Sequence, residues 1–327
     1  MTTPIRWGIL GTGGIARQLA RALGELDDAQ LYAVASRSAD SAVAFAREFG
    51  AATHYGSYAA LLTDPRVDAV YIATPHAQHH AALMMCLAAG KPVLCEKPFT
   101  LNLREAAEAV ALAREKRVFV MEAMWMRFNP AVAEAQAMVA RGEIGRLHGL
   151  QADFGFHQPF DPAHRAFDPA LGGGALLDVG IYPLALAQLF LGPIAELSAF
   201  AELGQTGVDE QTGFTLRHAG GGIASGFCSL RASTPMEATL FGEAGSIRLH
   251  SPFYNCARLT LARHGQPPHT VDLPYQGNGY RYEVEEVNRC LRAGLAESPR
   301  MPLADTLASM AALDAIRAMI GVRYPGE

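Results

Sequence analysis

A glycine-rich turn directly after the first apolar run limits the folds open to this chain more than any other feature. The run Ile5–Leu10 is typical of a buried strand, and residues 11–16 (GTGGIA) then lead into a helical pattern. Gly11 permits a tight turn, Gly13 lets a pyrophosphate approach the backbone, and Ala16 allows close helix packing. The N–H groups at the helix start would carry the phosphate charge. The pattern predicts a dinucleotide site formed by Gly11, Gly13, Gly14, Ile15 and Ala16.

The first 123 residues alternate short apolar runs with helical patterns. We expect strands, separated by helices, at Ile5–Leu10, Leu31–Ser36, Ala69–Ala73, Val93–Cys95 and Val118–Met121. This βαβ succession predicts an α/β fold with a doubly wound parallel sheet of the Rossmann type.

The pattern changes near residue 124, where longer strands and Gly-rich turns begin. Phe214–Arg217 and Ile223–Leu230 flank a Gly-Gly-Gly turn and predict an antiparallel hairpin, and Ala238–Phe241 with Ser246–Leu249 predicts a second. We therefore expect an NAD(P)-binding Rossmann domain at residues 1–123. Residues 124–327 are expected to form a substrate-binding α/β domain whose open, mainly antiparallel sheet has a face for substrate or a partner subunit.

Composition excludes several classes of function. The 327 residues carry a formal charge of −5, with a pI near 6.1, which argues against nucleic acid as a partner. We expect no apolar run to approach the roughly 20 residues of a membrane span, and the first strand begins too early for a signal peptide. Five scattered cysteines without a C-x-x-C pair favour free thiols in a cytoplasmic protein over disulfides or structural zinc.

The tip of the second strand bears on the choice of cofactor. It reads Ala35-Ser36-Arg37-Ser38 and has no acidic residue to bind a ribose 2′-hydroxyl. Arg37, with Ser36 beside it, can accept a 2′-phosphate instead, so the sequence favours NADP while NAD stays possible. The alternative is that Arg37 is a solvated turn residue.

A histidine-containing stretch follows the next central strand. Thr74, Pro75, His76 and His79 lie where the cofactor would pass. The histidine spacing could suggest a metal site, but no Cys or carboxylate lies nearby in sequence to complete a ligand set. We therefore expect cofactor contacts here and no metal.

The tripeptide Glu96-Lys97-Pro98 comes directly after the buried run Val93–Cys95. Open α/β sheets place their ligands at the carboxyl ends of strands, so Glu96 and Lys97 are expected beside the cofactor. The alternative is a charged turn between strand and helix.

A second candidate segment lies in the later domain. Gly172-Gly173-Gly174 leads into a helical pattern that places Asp178 and Tyr182, four residues apart, on one face. The alternative is that Asp178 caps the helix and Tyr182 packs in the core.

Together these motifs resemble the glucose–fructose oxidoreductase and inositol dehydrogenase family. The resemblance rests on Gly11–Ala16, Thr74 to His79, Glu96–Pro98, Met121–Phe128 and Gly172–Tyr182. The usual family pattern has histidine where this chain has Tyr182. That departure is similar to the branch containing dimeric trans-dihydrodiol dehydrogenase and NADP-dependent D-xylose 1-dehydrogenase.

The resemblance implies an NADP-dependent oxidoreductase acting on a CH–OH group of an aldose, such as D-xylose, or of a cyclic trans-diol. It assigns catalysis to Lys97 and Tyr182, with Asp178 as their neighbour. A free tyrosine titrates at about pH 10, and a nearby ammonium favours its phenolate, so Tyr182 would be the general acid/base assisted by Lys97. It also implies a homodimer or higher homo-oligomer formed through the C-terminal sheet.

Aromatic residues and alternative functions complete the expectations. A substrate wall could be formed by Trp125, Phe154, Phe156 and Tyr280, although each could equally pack in a core. A reductase of a keto-sugar such as 1,5-anhydrofructose would use the same residues in the opposite direction. A non-catalytic dinucleotide-binding regulator is also open, but it would be expected to lack Lys97 or Tyr182.

Overall fold

The apolar runs of the first 123 residues form six parallel strands in the computed structural model, which describes residues 3–327. The strands are β1 Ile5–Leu10, β2 Ala29–Ala35, β3 Thr53–Tyr55, β4 Ala69–Ile72, β5 Val93–Glu96 and β6 Val120–Ala123. They lie in the order β3-β2-β1-β4-β5-β6, which is the order of doubly wound dinucleotide-binding sheets. The Rossmann prediction is confirmed.

Helices connect these strands and several begin at side-chain caps. Ser38, Ser57 and Asn102 each accept a hydrogen bond from the backbone N–H three residues later, a contact worth about 1 kcal/mol. The helices are α1 Gly14–Gly24, α2 Ala39–Phe49, α3 Tyr58–Leu62, α4 His79–Ala88 and α5 Leu103–Lys116.

The later part of the chain forms a second, eight-stranded sheet. Its strands are β7 Leu147–Gly155, β8 Ile194–Leu203, β9 Asp209–His218, β10 Ile223–Ser229, β11 Ala238–Gly242, β12 Gly245–Leu249, β13 Arg258–Arg263 and β14 His269–Asp272. Their order is β14-β13-β12-β11-β7-β10-β9-β8. The two predicted hairpins are confirmed as β9–β10 and β11–β12, while β7 pairs with β10 in parallel.

By compactness the chain divides into two units. Unit 1 comprises Met1–Trp125 and Gln276–Leu307, and unit 2 comprises Met126–Tyr275 and Ala308–Glu327. The division into cofactor and substrate domains at residue 123 stays a prediction. The remaining helices are α6 Pro130–Ala140, α7 Ile181–Leu191, α8 Arg281–Arg292 and α9 Leu303–Ile320.

The tight turn after β1 depends on Gly11. Its N–H donates to the carbonyl of Ala35 on β2, and its φ of +105° lies in the region that favours glycine. A Cβ at this position would lie 2.7 Å from the carbonyl oxygen of Ala73, at the end of β4. Only glycine therefore lets the ends of three neighbouring strands approach so closely.

A buried apolar helix packs on β7 and β10 of the second sheet. It begins with a π-helical turn at Leu176–Gly180 and continues as α7. A Cβ on Gly180 would lie 2.8 Å from Cys228 Sγ on β10, so glycine permits this close approach. This helix is part of a longer helical segment, Pro169–Leu191, whose length and apolar composition would be enough to cross a membrane. The expectation that no apolar run approaches that length is therefore wrong. The most apolar stretch of this segment is 78% buried, as in a core helix.

The start of this helix is held by Asp209 on β9. Asp209 Oδ2 accepts the Leu176 N–H at 2.8 Å and the Thr212 hydroxyl at 2.7 Å. Gly174 has φ +119°, and a Cβ there would lie 2.4 Å from Asp209 Oδ1. The Tyr324 hydroxyl donates to the Gly173 carbonyl at 2.6 Å. The glycine triplet thus brings the chain close enough for Asp209 to bind the first turn.

Asp209→Asn should change how stability depends on pH. Burial raises the pKa of Asp209 from 3.8 to about 6. Between those values the folded protein binds the proton more tightly than the unfolded chain, so stability falls as pH rises from about 4 to 6, by about 3 kcal/mol. Asparagine does not ionise. The melting temperature of the Asp209→Asn protein, measured relative to that of the wild type, should therefore rise between pH 4 and pH 6.

Thermal unfolding of both proteins from pH 4 to 7 measures this difference. Asp168→Asn is the matched control, because it removes a carboxylate that caps a surface turn through the Ala170 N–H. A difference between Asp209→Asn and the wild type that stays constant with pH would contradict the expected protonation of Asp209.

Candidate functional site

The start of α1 offers a place for phosphate. Gly13 is its N-cap, and no side-chain oxygen among residues 3–327 caps the helix. A Cβ added to Gly13 or Gly14 would meet no described atom within 4 Å, so the turn leaves open space in front of the helix. Backbone N–H groups and the positive end of the helix dipole suit an anion there. The turn therefore fits the pyrophosphate of a dinucleotide.

Polar residues follow β2 at the same edge of the sheet. Ser36 is nearly buried, and its Oγ accepts the Ser38 N–H at 3.2 Å. Arg37 is exposed. Its charge lies close enough to Tyr58 to oppose the increase in the Tyr58 pKa that burial causes. An exposed guanidinium at this strand tip can bind a 2′-phosphate.

The end of β4 presents a buried hydroxyl and a buried histidine. Thr74 Oγ1 is buried and has no hydrogen-bond partner among the described residues, so it is available to a ligand. His79, the first residue of α4, has both ring nitrogens against backbone carbonyls. His79 was predicted to contact the cofactor, but its ring atoms are engaged within the protein. Pro75 directly precedes a short 3-10 turn at His76–Gln78, of which His76 is the first residue.

The end of β5 is built around Glu96. This side chain is 5% exposed, and its carboxylate accepts hydrogen bonds from the Tyr71 hydroxyl and from the Lys97 N–H at 3.1 Å. Lys97 is half-buried and is followed by a cis peptide bond to Pro98. These two hydrogen bonds hold the end of β5 in place directly before Lys97.

Glu283 is a buried acid that the sequence reading missed. It lies on α8 in unit 1, is 0% exposed, and has neither carboxyl oxygen bonded to another described residue. Burial, and then the charge of Glu96, raise its pKa well above the usual range. Glu283 lies on the buried face of α8 together with Val284 and Val287. Its position on that apolar face is the sequence pattern that could have indicated a buried acid.

In unit 2, Tyr182 belongs to an aromatic cluster. We define this cluster as Phe154, Phe156, Tyr182 and Tyr254. The Phe154 and Tyr254 rings stack with centroids 4.3 Å apart, and each lies 5.4 Å from the Tyr182 ring. Phe156 meets Phe154 edge-on at 6.3 Å. Of the predicted substrate residues, Phe154 therefore contacts Tyr182 directly and Phe156 contacts Phe154. Tyr254, which no sequence pattern indicated, contacts both Phe154 and Tyr182.

Asp178 lies one turn before Tyr182 in the π-helical turn. Its side chain is nearly buried and forms an ion pair of 3.1 Å with Arg165, whose side chain is about half exposed. A π-helical turn is uncommon and is frequent at functional sites. Arg165 is a further residue that the sequence reading missed.

The other two predicted wall residues meet in unit 1. Trp125 and Tyr280 stack with centroids 4.4 Å apart and an interplanar angle of 14°. The loop before Tyr280 is held on α1, because Asn278 donates to the Gln18 carbonyl at 2.8 Å.

The predicted site residues thus divide between the two units. Unit 1 holds all the cofactor residues together with Lys97, Trp125 and Tyr280, and unit 2 holds Phe154, Phe156, Asp178 and Tyr182. In unit 1 the cofactor residues follow β1, β2, β4 and β5 along one edge of a parallel sheet, where such folds bind ligands. Within residues 3–327 no cluster of three or more His, Cys, Asp or Glu is arranged to hold a metal ion.

Two family models match the chain. The oxidoreductase family with an NAD-binding Rossmann fold (GFO/IDH/MocA) matches residues 5–124, and the GFO/IDH/MocA C-terminal domain matches residues 132–248. Trans-1,2-dihydrobenzene-1,2-diol dehydrogenase from Mus musculus is 38% identical, and the Homo sapiens enzyme is 37% identical. Each match covers 99% of both chains.

Solved structures agree with this assignment. A 3-ketoreductase from Actinomadura kijaniata, in complex with NADP and TDP-benzene, has a TM-score of 0.88 at 29% identity, covering 97% of this chain and 98% of that one. An aldose–aldose oxidoreductase from Caulobacter crescentus, 23% identical with a TM-score of 0.87 over 97% of this chain, shows the same fold. The chain therefore belongs to the GFO/IDH/MocA oxidoreductase family, as its motifs predicted.

Proposed function

We propose that this protein is an NADP-dependent dehydrogenase that oxidises a cyclic trans-diol or an aldose such as D-xylose. The observation that carries the proposal is 38% identity with a trans-dihydrodiol dehydrogenase along 99% of both chains. The aromatic cluster around Tyr182 supports it, because aromatic faces suit the apolar side of a cyclic diol or sugar.

NADP is the proposed cofactor, with NAD as a poorer alternative. The backbone at Gly11–Ala16 would hold the pyrophosphate, and Arg37 with Ser36 would hold the 2′-phosphate. Thr74, Pro75, His76, Glu96 and Lys97 complete the proposed binding region at the ends of β4 and β5, and His79 would contribute to it only through the two loops that its ring contacts. When bound, the nicotinamide ring supplies the hydride acceptor of the oxidation.

Tyr182 and Lys97 are the proposed catalytic residues. Oxidation of a CH–OH group breaks the O–H bond and the C–H bond of one carbon. The Tyr182 phenolate would take the hydroxyl proton while the C–H electron pair leaves as hydride. The Lys97 ammonium would favour the phenolate and donate to the substrate oxygen. Asp178, paired with Arg165, would orient the substrate or the lysine.

A keto-sugar reductase is the second candidate. The 3-ketoreductase from Actinomadura kijaniata resembles this chain at 29% identity over 97% of its length. The same side chains would serve in that direction, with Tyr182 donating the proton to a carbonyl oxygen as hydride arrives at its carbon. A keto-sugar such as 1,5-anhydrofructose is the corresponding substrate class.

We also propose a cytoplasmic homodimer formed through the second sheet. The five cysteines are buried free thiols, which suits a reducing compartment. Phe200 on β8 is 85% exposed, and Ile223 and Phe227 on β10 and Phe241 on β11 of the same sheet are also exposed. Exposed apolar groups of this kind mark a protein interaction surface.

A substrate screen tests the proposed reaction. Purified protein should reduce NADP⁺ with cyclic trans-diols or aldoses, which the absorbance of NADPH reports. Activity restricted to NADPH-dependent reduction of keto-sugars would select the reductase. Dinucleotide binding without turnover in either direction would contradict both enzymes and favour a regulator.

Variants of the proposed pair test its members. Tyr182→Phe and Lys97→Met should each lower kcat about 10²- to 10⁴-fold while cofactor still binds, because each removes a part of proton transfer. If the two residues act as a unit, the double variant should lose little more than the worse single variant. Steady-state kinetics and cofactor fluorescence measure these quantities.

Lys116→Met is the matched control for the lysine variant. It removes an exposed lysine at the end of α5, and its kcat should equal that of the wild type. Unchanged turnover in Tyr182→Phe, or fully multiplicative losses in the double variant, would reject the pair.

Arg37→Ala tests cofactor choice. Losing a charge-assisted contact to the 2′-phosphate should lower kcat/KM for NADP⁺ about 10- to 100-fold and leave the value for NAD⁺ nearly unchanged. Arg47→Ala on α2 is the control, because it removes an equally exposed arginine. A wild type that prefers NAD⁺ would overturn the NADP assignment.

A further inference from the structure

His79 is completely buried between two backbone carbonyl groups. Its Nδ1 lies 2.8 Å from the Pro98 oxygen, and its Nε2 lies 2.9 Å from the Thr74 oxygen. A carbonyl oxygen only accepts hydrogen bonds, and a neutral imidazole has one N–H. The ring can therefore donate to both carbonyls only as an imidazolium. A neutral ring makes one hydrogen bond and turns a lone pair toward the other oxygen.

The two carbonyls belong to the loops that follow β4 and β5. Thr74 is the second residue beyond β4, and Pro98 directly follows Lys97. His79 itself begins α4, so its ring joins three segments of unit 1. The loop that carries Lys97 is thus held from one side by Glu96 and from the other by His79.

The groups around His79 act on its proton in opposite directions. Burial and then the Lys97 charge lower the pKa of His79, the two carbonyls raise it, and the result lies below 6.5. The other titratable ring against it is His76, with centroids 5.8 Å apart. Near neutral pH the ring is therefore uncharged, and one of its two contacts lacks a proton.

We propose that His79 is a positioning residue that bridges the loop after β4 and the Lys97 loop, and that the bridge is complete only when the ring is protonated. The proposal rests on the proposed function for the importance of Lys97. The bridge itself is a property of unit 1 and can be measured without turnover. This role differs from direct cofactor contact, because neither ring nitrogen is left for a ligand.

Lysine labelling gives a direct test, because the chain has only Lys91, Lys97 and Lys116. Reductive methylation with ¹³C-formaldehyde labels these amines and the α-amine, and Lys97→Arg identifies the Lys97 signal. In the wild type, the Lys97 methyl signal should shift on the acid side of pH 6.5 as the nearby imidazole gains its charge. His79→Gln should abolish that shift.

His80→Gln is the matched control on the same helix. His80 pairs with Glu108 at 3.1 Å, and its side chain is 25% exposed. This variant should keep the Lys97 shift. A wild-type Lys97 signal that does not move over this range, or the same shift in His79→Gln, overturns the proposal. The wild-type titration needs only the Lys97→Arg assignment, so if the His79→Gln protein fails to fold, a Lys97 signal that does not move still overturns the proposal and one that moves on the acid side of pH 6.5 still supports it.

Kinetics separate the bridge from a merely structural role. With a substrate from the screen, His79→Gln should lower kcat about 10- to 100-fold, keep the cofactor KM within about threefold, and lose a pH-dependent step below pH 6.5. A fall in kcat with the wild-type pH profile would overturn the proposal. If no substrate is found, the proposed function fails while the labelling experiment still decides the bridge.

Discussion

The carboxylate of Glu96 is the contact on which the arrangement at the end of β5 depends. A buried charge is tolerated only when donors surround it, and here the Tyr71 hydroxyl and the Lys97 N–H fill that need. Glu283 lies close by and is equally buried, so the two acids cannot both ionise. Because both oxygens of Glu96 accept hydrogen bonds, the charge resides there and Glu283 keeps its proton. Movement of the Lys97 loop would expose Glu96 to the cost of an unpaired buried charge.

In unit 2 a buried carboxyl group, that of Asp209, also holds a backbone segment. The first turn of a helix has backbone N–H groups that need acceptors, and Asp209 provides one for Leu176. Gly174 brings the chain against Asp209, and Gly180 brings the helix against β10. These contacts determine where Asp178 and Tyr182 lie relative to Phe154, Phe156 and Tyr254, the other members of the aromatic cluster. In both units, candidate catalytic side chains extend from backbone segments that buried carboxyl groups hold.

Local patterns were sufficient for much of the fold. The alternation of strands and helices predicted the parallel sheet because crossover connections leave few other topologies. The two hairpins were visible because their turns and strands are adjacent in sequence. The parallel pairing of β7 with β10 was not, since about 70 residues separate these strands and no local signal records such a contact. The return of residues 276–307 to unit 1 was missed for the same reason.

The sequence by itself determined the glycine-rich turn after β1, the lysine at the end of β5 and the tyrosine four residues after Asp178. Each depends on residue type and spacing within one short segment, where backbone geometry leaves little freedom. Only the tertiary structure decided that His79 lies between two carbonyls, that Glu283 faces Glu96, and that Tyr254 stacks on Phe154. These relations join residues far apart in the chain, and packing selects them because buried polar and aromatic groups must find partners in three dimensions.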